Sequence, residues 1–161
     1  MPVTSDEFRA ALGNFASGVT VVTTVDAVGK LHGITVSAFC SVSLDPPMVL
    51  ICIEKTTASH YAFGESEIFV VNILSEDQAE ISEQFAEPFF DKFEGIGYEI
   101  GTLGAPVLTG ALVNLECRLR HSLNGGDHSI FVGEAESVRV GRSEPLLYFR
   151  REYRGLSDFD L

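Results

Sequence analysis

Thr35, Ser37 and Ser41 place three hydroxyls in a short run that begins at Gly33 and stops at the rigid sequence Asp45-Pro46-Pro47. Val36, Ala38, Phe39 and Cys40 stand between them. Small residues let a ligand approach the backbone, and hydroxyls with local N–H groups supply donors. That chemistry suits a flat ring with a polar edge. The plain alternative is a β-strand with Thr and Ser on its solvent face, and taken by themselves the residues favour it.

Three further constellations could carry chemistry. In Cys52-Ile53-Glu54-Lys55-Thr56-Thr57-Ala58-Ser59 an apolar strand ends and a short helix could begin. Hydroxyls and N–H groups at a helix start attract anions, and Lys55 adds a cation; a capped helix with a surface lysine is the ordinary reading. Asn124-Gly125-Gly126-Asp127 reads as a tight hairpin turn, and His128 follows it. A histidine there is commonly a surface residue. Asp91-Lys92-Phe93, near Phe85, Phe89 and Phe90, reads as packing beneath a loop. Tyr148, Tyr153 and Arg154 lie close to the C-terminus. The pattern supports neither a Ser-His-Asp nor a Cys-His arrangement, and His60 and His121 lack ligand-like spacing.

The elements that must position these groups are mostly strands. Thr4 and Glu7 form a capping box ahead of a short helix with Phe8, Ala11, Leu12 and Phe15 on one face. From Gly18 the period changes to two, with Val19, Val21, Thr23 and Val25 sharing a face. Residues 26–30 turn the chain into a strand at 31–35, and strands follow at 39–44 and 49–53. The last is continuously apolar, as a strand buried on both faces would be. A short helix over 57–65, an apolar strand at 68–74 and a second capping box, Ser75 with Gln78, come next; that helix carries Ile81 and Phe85. Residues 87–104 read as irregular. Val113, Leu115, Cys117 and Leu119 alternate with Asn114, Glu116, Arg118 and Arg120, a half-buried strand whose partner runs over 129–138. The whole, 1–161, reads as one domain: mainly β (α+β), a closed antiparallel barrel with small covering helices.

The 161 residues carry 11 Lys and Arg against 23 Asp and Glu, a net charge of −12, which disfavours nucleic acid and anionic membranes as partners. The same field repels nucleotides at long range, so a nucleotide site needs local donors. The N-terminus lacks the pattern of a secretory signal, and the apolar runs are strand-sized. Cys40, Cys52 and Cys117 are an odd, scattered set, expected to be reduced core thiols of a cytoplasmic protein with no metal site.

The Gly33–Pro47 run, Met48 to Ile53, Phe69-Val70-Val71-Asn72-Ile73-Leu74, and Gly126-Asp127-His128-Ser129-Ile130-Phe131-Val132-Gly133-Glu134 occur in an order and spacing that resembles the flavin reductase-like, FMN-binding split-barrel family. The likeness runs from about Phe8 to Leu156. It implies a six-stranded Greek-key split barrel acting as a homodimer. It implies that Thr35, Val36, Ser37 and Ala38 line the flavin ring and ribityl chain, with Ser41 close by. The FMN phosphate would lie in the loop of Cys52, Ile53, Glu54, Lys55 and Ser59. Lys92 and Phe93 would form part of a lid, and Tyr153 would stack in the pocket. His128 would stand beside flavin and nicotinamide, orienting the dinucleotide or stabilising charge. The activity implied is reduction of FMN or FAD by NADH or NADPH, supplying a partner flavin-dependent monooxygenase. A flavin- or haem-binding carrier or redox sensor of the same barrel is the alternative, and a plain interaction module a third.

Overall fold

The computed structural model describes residues 2–88 and 91–158. Phe89 and Phe90, read as packing beneath a loop, lie outside the described residues.

The opening helix, α1 (Ser5–Leu12), begins where its sequence requires: Thr4 Oγ1 accepts the Glu7 N–H at 3.2 Å, and the Glu7 carboxylate takes the Thr4 N–H at 2.9 Å. Those bonds hold Glu7 below the usual carboxylate range. No residue of α1 is buried, and Phe8, Leu12 and Phe15 are 59%, 54% and 78% exposed. The apolar stripe is therefore present but unpacked within one chain.

After the two-residue β1 (Ser17–Gly18), the chain lays down β2 (Thr20–Val25) and β3 (Leu31–Val36), joined by a turn around Asp26. Next come β4 (Phe39–Ser43) and β5 (Met48–Glu54), joined through the Asp-Pro-Pro segment. Beyond them lie α2 (His60–Glu65), β6 (Ile68–Ile73) and α3 (Ala79–Ala86). A small ladder pairs β7 (Tyr98–Ile100) with β8 (Pro106–Leu108). The long ribbon of β9 (Val113–Gly125) and β10 (His128–Val140) follows, then β11 (Leu147–Phe149) and β12 (Glu152–Arg154), which with β1 make a separate three-stranded sheet in the order β1-β11-β12.

The main sheet is antiparallel and has seven strands in the order β3-β2-β6-β9-β10-β5-β4. The mainly β reading therefore holds, but the strand count expected for the barrel was six. Its two edges, β3 and β4, are consecutive in the chain and joined only by Ser37 and Ala38. So short a link carries the backbone from one edge to the other instead of folding it back as a hairpin. All seven strands feed one core: Val22, Val36, Ile51, Phe69, Cys117 and Phe131 are buried together, with Phe39 of β4 packed against them. A flat sheet could not bring both edges to one cluster, so the sheet is strongly curled. Register shifts in the β9–β10 ladder, at Arg120 of β9 and Glu136 of β10, contribute to that bend.

Four local expectations change. In β5, Val49, Ile51 and Ile53 point into the core while Leu50 and Cys52 are half-exposed, so burial alternates. Ser75 and Gln78 do not close a capping box: the Ser75 hydroxyl bonds Asp77 and Gly110 O, and α3 starts after Gln78. Residues 87–104, expected to be irregular, contain β7. Asn114 and Glu116, expected on a wet face, are 9% and 2% exposed. The segment from 101 to 108 covers them: Leu103 N–H donates to Glu116 at 3.0 Å, and Asn114 Nδ2 reaches Leu108 O at 3.2 Å.

Candidate functional site

A cleft of about 990 Å3 opens between β3, the segment leading from β5 into α2, and the segment after α3. That volume suits a small-molecule site. Of the residues expected to touch a ligand, Thr35, Glu54, Ser59, Lys92 and Phe93 line it. Thr56, Thr57, Gly33 and Tyr98 complete much of the wall.

Gly33 is where the fold needs a missing side chain. A Cβ there would stand 2.5 Å from Cε1 of Phe85 and 3.4 Å from Cζ of Phe93. Phe85, on the buried face of α3, meets Phe93 edge-on at 5.0 Å, and Phe93 meets Tyr98 at 5.3 Å. This aromatic stack forms one flank of the cleft. Lys92 secures it by donating to Phe85 O at 2.9 Å and Gly33 O at 3.2 Å, and its half-buried ammonium is pushed below the usual lysine range by desolvation. Thr35 donates its hydroxyl to Ser82 O at 2.6 Å, so its proton is spent on α3 and only its oxygen remains as an acceptor.

The opposite flank holds a group that sequence reading missed. His32, 5% exposed, lies with Nδ1 at 3.1 Å from Ser59 Oγ and Nε2 at 3.0 Å from Asp26 Oδ2. The Tyr61 hydroxyl donates to the same Asp26 oxygen at 3.0 Å. A Ser-His-Asp chain therefore exists, contrary to the sequence expectation. The His32 hydrogen bond, with backbone donors at Lys30 and Val28 and the Tyr61 hydroxyl, holds the Asp26 carboxyl far below its ordinary range. The same Asp26 bond pushes Tyr61 up. Nothing in the pattern could announce this: Asp26 reads as a turn residue, and His32 sits in a strand between Leu31 and Gly33. Pairing of β2 with β3, which sets His32 opposite Thr24, and docking of α2 assemble it.

The remaining expected residues lie elsewhere. Val36 and Ile53 send their side chains into the core, and the Thr20 hydroxyl donates to the Val36 carbonyl at 2.6 Å. Ser37, Ala38 and Ser41 are exposed at the link between the sheet edges and along β4. Cys52 is half-buried on the outer face of β5, and burial raises its thiol above the usual range. Lys55 is not free for an anion in the cleft: its ammonium bonds the Asn124 side chain and, at 2.7 Å, the Gly126 carbonyl. That brings it to the β9–β10 turn, where Gly126 adopts φ +78° and His128 pairs across the ladder with Glu54. His128 Nδ1 lies 2.7 Å from Asp127 Oδ1, and this contact lowers the Asp127 carboxyl. Tyr153 stacks on Tyr148 and shares a 2.7 Å hydrogen bond with Ser82, so it buttresses α3 and not the cleft. Of the thiols expected in the core, only Cys117 is buried; Cys40 is exposed.

Comparison with known proteins agrees with this architecture. The model of the flavin reductase like domain matches residues 12–157. The reductase subunit HsaB of a flavin-dependent monooxygenase from Rhodococcus jostii is 41% identical over 150 residues, covering 92% of this chain and 76% of that protein. The NADH:riboflavin 5'-phosphate oxidoreductase of Streptomyces pristinaespiralis is 40% identical over 150 residues, covering 91% and 85%. Among solved structures, the NADH:FAD oxidoreductase SgcE6 of Streptomyces globisporus, in complex with NAD and FAD fragments, superposes with a TM-score of 0.89 at 33% identity, covering 96% of this chain and 95% of that one. With nine-tenths of its length matched in sequence and fold alike, this chain belongs to the flavin reductase like domain family.

Proposed function

We propose that this protein is an NADH-dependent flavin reductase that supplies reduced flavin to a partner oxygenase. The observation that carries the reading is the match over residues 12–157 to a family whose relatives are named as such reductases. The cleft supports it. Its volume, its hydroxyl and ammonium donors and its aromatic flank fit a flavin nucleotide, FMN or FAD.

A bound flavin would supply the electron-carrying chemistry, accepting a hydride from the nicotinamide. Everything left to the protein is placement and exclusion of water. Ser59, with Thr56 and Thr57, would hold the phosphate end; Thr35 would offer an acceptor, and Lys92 and Phe93 would close over the ring. His128 would orient the dinucleotide. Its Nδ1–H is committed to the ionised Asp127, which leaves Nε2 to meet the substrate. Hydride transfer needs no side-chain acid–base pair, so the Ser59, His32 and Asp26 chain is left to binding and placement. Ser37, Ala38 and Ser41 are exposed in the single chain. Their expected contact with flavin would be completed in a homodimer, whose second copy would also cover the bare stripe of α1. The finer reading of the curled sheet as a Greek-key split barrel goes with that assembly. Among the described residues no helix is long and apolar enough to cross a membrane, and the free thiols suit a cytoplasmic setting.

NADH oxidation by the purified protein, followed by absorbance with FMN and then FAD, tests the reading. Flavin-dependent oxidation well above the free-flavin background is expected. None with either flavin, nor with NADPH, in a folded sample would refute it.

A further inference from the structure

Ser59 stands just ahead of α2, where a serine ordinarily accepts a helix N–H with its hydroxyl. Here that cap bond is missing, and Ser59 Oγ faces His32 Nδ1 at 3.1 Å. The ring's other nitrogen faces Asp26, whose Oδ1 is already fixed by the Val28 and Lys30 N–H groups and whose Oδ2 takes the Tyr61 hydroxyl. An ionised carboxylate 3.0 Å from Nε2 requires a proton there, because two acceptors repel. Nδ1 then decides what Ser59 can do. On a neutral ring Nδ1 is an acceptor, so Ser59 must give it the hydroxyl's only proton and shows the cleft lone pairs, which repel an anion. On a doubly protonated ring Nδ1–H donates to Ser59 Oγ, and the hydroxyl proton is released toward the cleft.

The surroundings favour such a device. Lys30, in the turn ahead of β3, lines the same cleft, and Tyr61 of α2 meets His32, with Glu65 further along that helix acting on Tyr61. Across the cleft stand Glu54, Glu87 and Asp91 against Lys92. With more carboxylates than ammonium groups in the lining, a phosphate needs another cation, and His32 can become one.

We propose that Asp26 and His32 act as positioning residues behind Ser59, so that the phosphate of a flavin nucleotide is bound with uptake of a proton at His32, while the phosphate-free ring is not. This rests on the reading that Ser59 meets the phosphate. Titration calorimetry of the whole protein at pH 8, in two buffers of different ionisation enthalpy, compares FMN with riboflavin. At that pH the free FMN phosphate, with a second pKa of about 6, is dianionic, so a proton taken up goes to the protein or onto the bound phosphate, and the histidine signal decides between them. Uptake approaching one proton per FMN is expected, with affinity falling by up to about tenfold per pH unit, and none with riboflavin. Nitrogen NMR of labelled histidine should show Nδ1 of His32 gaining its proton on FMN binding. Zero uptake, or an unchanged Nδ1 signal, overturns the proposal without any variant. Ser59→Ala should narrow the ratio of FMN to riboflavin affinity, Thr56 and Thr57 keeping the rest; an unchanged ratio would overturn the underlying phosphate reading. Where Ser59→Ala responds but His32→Gln keeps the uptake, the role of His32 alone is overturned.

Discussion

Replacing Gly33 by alanine should damage both stability and the cleft, and the structure sets the scale. The new methyl would lie 2.5 Å and 2.7 Å from two ring carbons of Phe85, where carbon atoms at rest stand about 3.5–4.0 Å apart. A displacement on the order of 1 Å is required. Phe85 has nowhere to retreat: it is fully buried among Val19, Val21, Leu74, Leu108 and Leu146, with Phe93 against its edge. Overpacking of this kind costs about 1–3 kcal/mol. In a chain of this size that corresponds to a fall of about 2–12 °C in melting temperature. Because Lys92 bonds both Gly33 O and Phe85 O, the shift also moves the flank of the cleft, so flavin affinity falls with stability. Thermal unfolding and fluorescence titration with flavin measure the two losses. Phe85→Leu in the same background should recover part of the loss, since contacting residues are non-additive. A melting temperature unchanged within about 1 °C, with flavin binding intact, would refute the claim that this glycine is required by close approach.

His128→Ala should lower turnover or weaken NADH binding while leaving flavin binding nearly unchanged, and unaltered steady-state kinetics would remove His128 from the site. Asp26 has a folded-state value depressed below its unfolded one of about 3.9, so its contribution is fully present above that value and is lost as pH falls below it. Asp26→Asn should therefore be less stable at neutral pH and show a shallower decline in acid, measured by denaturant titrations across pH 2–7. Burial beside Glu116 and Glu136 pushes the Cys117 thiol up to about 12. It should resist thiol reagents at pH 8 until the chain unfolds, as mass spectrometry of the labelled sites would show.

The sequence made the strands of the main sheet legible because each alternates or runs apolar over a strand's length. The turn at Gly125 and Gly126 was equally plain, since few residues tolerate its backbone. Misreadings arose where a third layer covers a surface. Asn114 and Glu116 look wet from periodicity, yet the segment bearing β8 roofs them over and supplies their hydrogen-bond partners. Conversely, Phe8, Leu12 and Phe15 carry a core-like period and touch no core in the single chain. In the cleft, Thr35, Ser59 and Lys92 were named through the family resemblance, since their residue types alone favour a solvent-facing strand, a capped helix and packing beneath a loop. Asp26 and His32 were not, because their meeting with Ser59 depends on strand register and on how α2 docks.

Lys55 joins two loops that are far apart in sequence. Its N–H meets Asp127 O at 2.9 Å, and its ammonium grips the Asn124 side chain and the Gly126 carbonyl. The strand end that leads toward Ser59 and the turn that carries His128 are thereby riveted into a single rigid piece. Drawing that ammonium away would leave the turn held by the Lys55 N–H and the β5–β10 ladder alone, so an electrostatic pull at the end of β5 would become mechanical slack at His128.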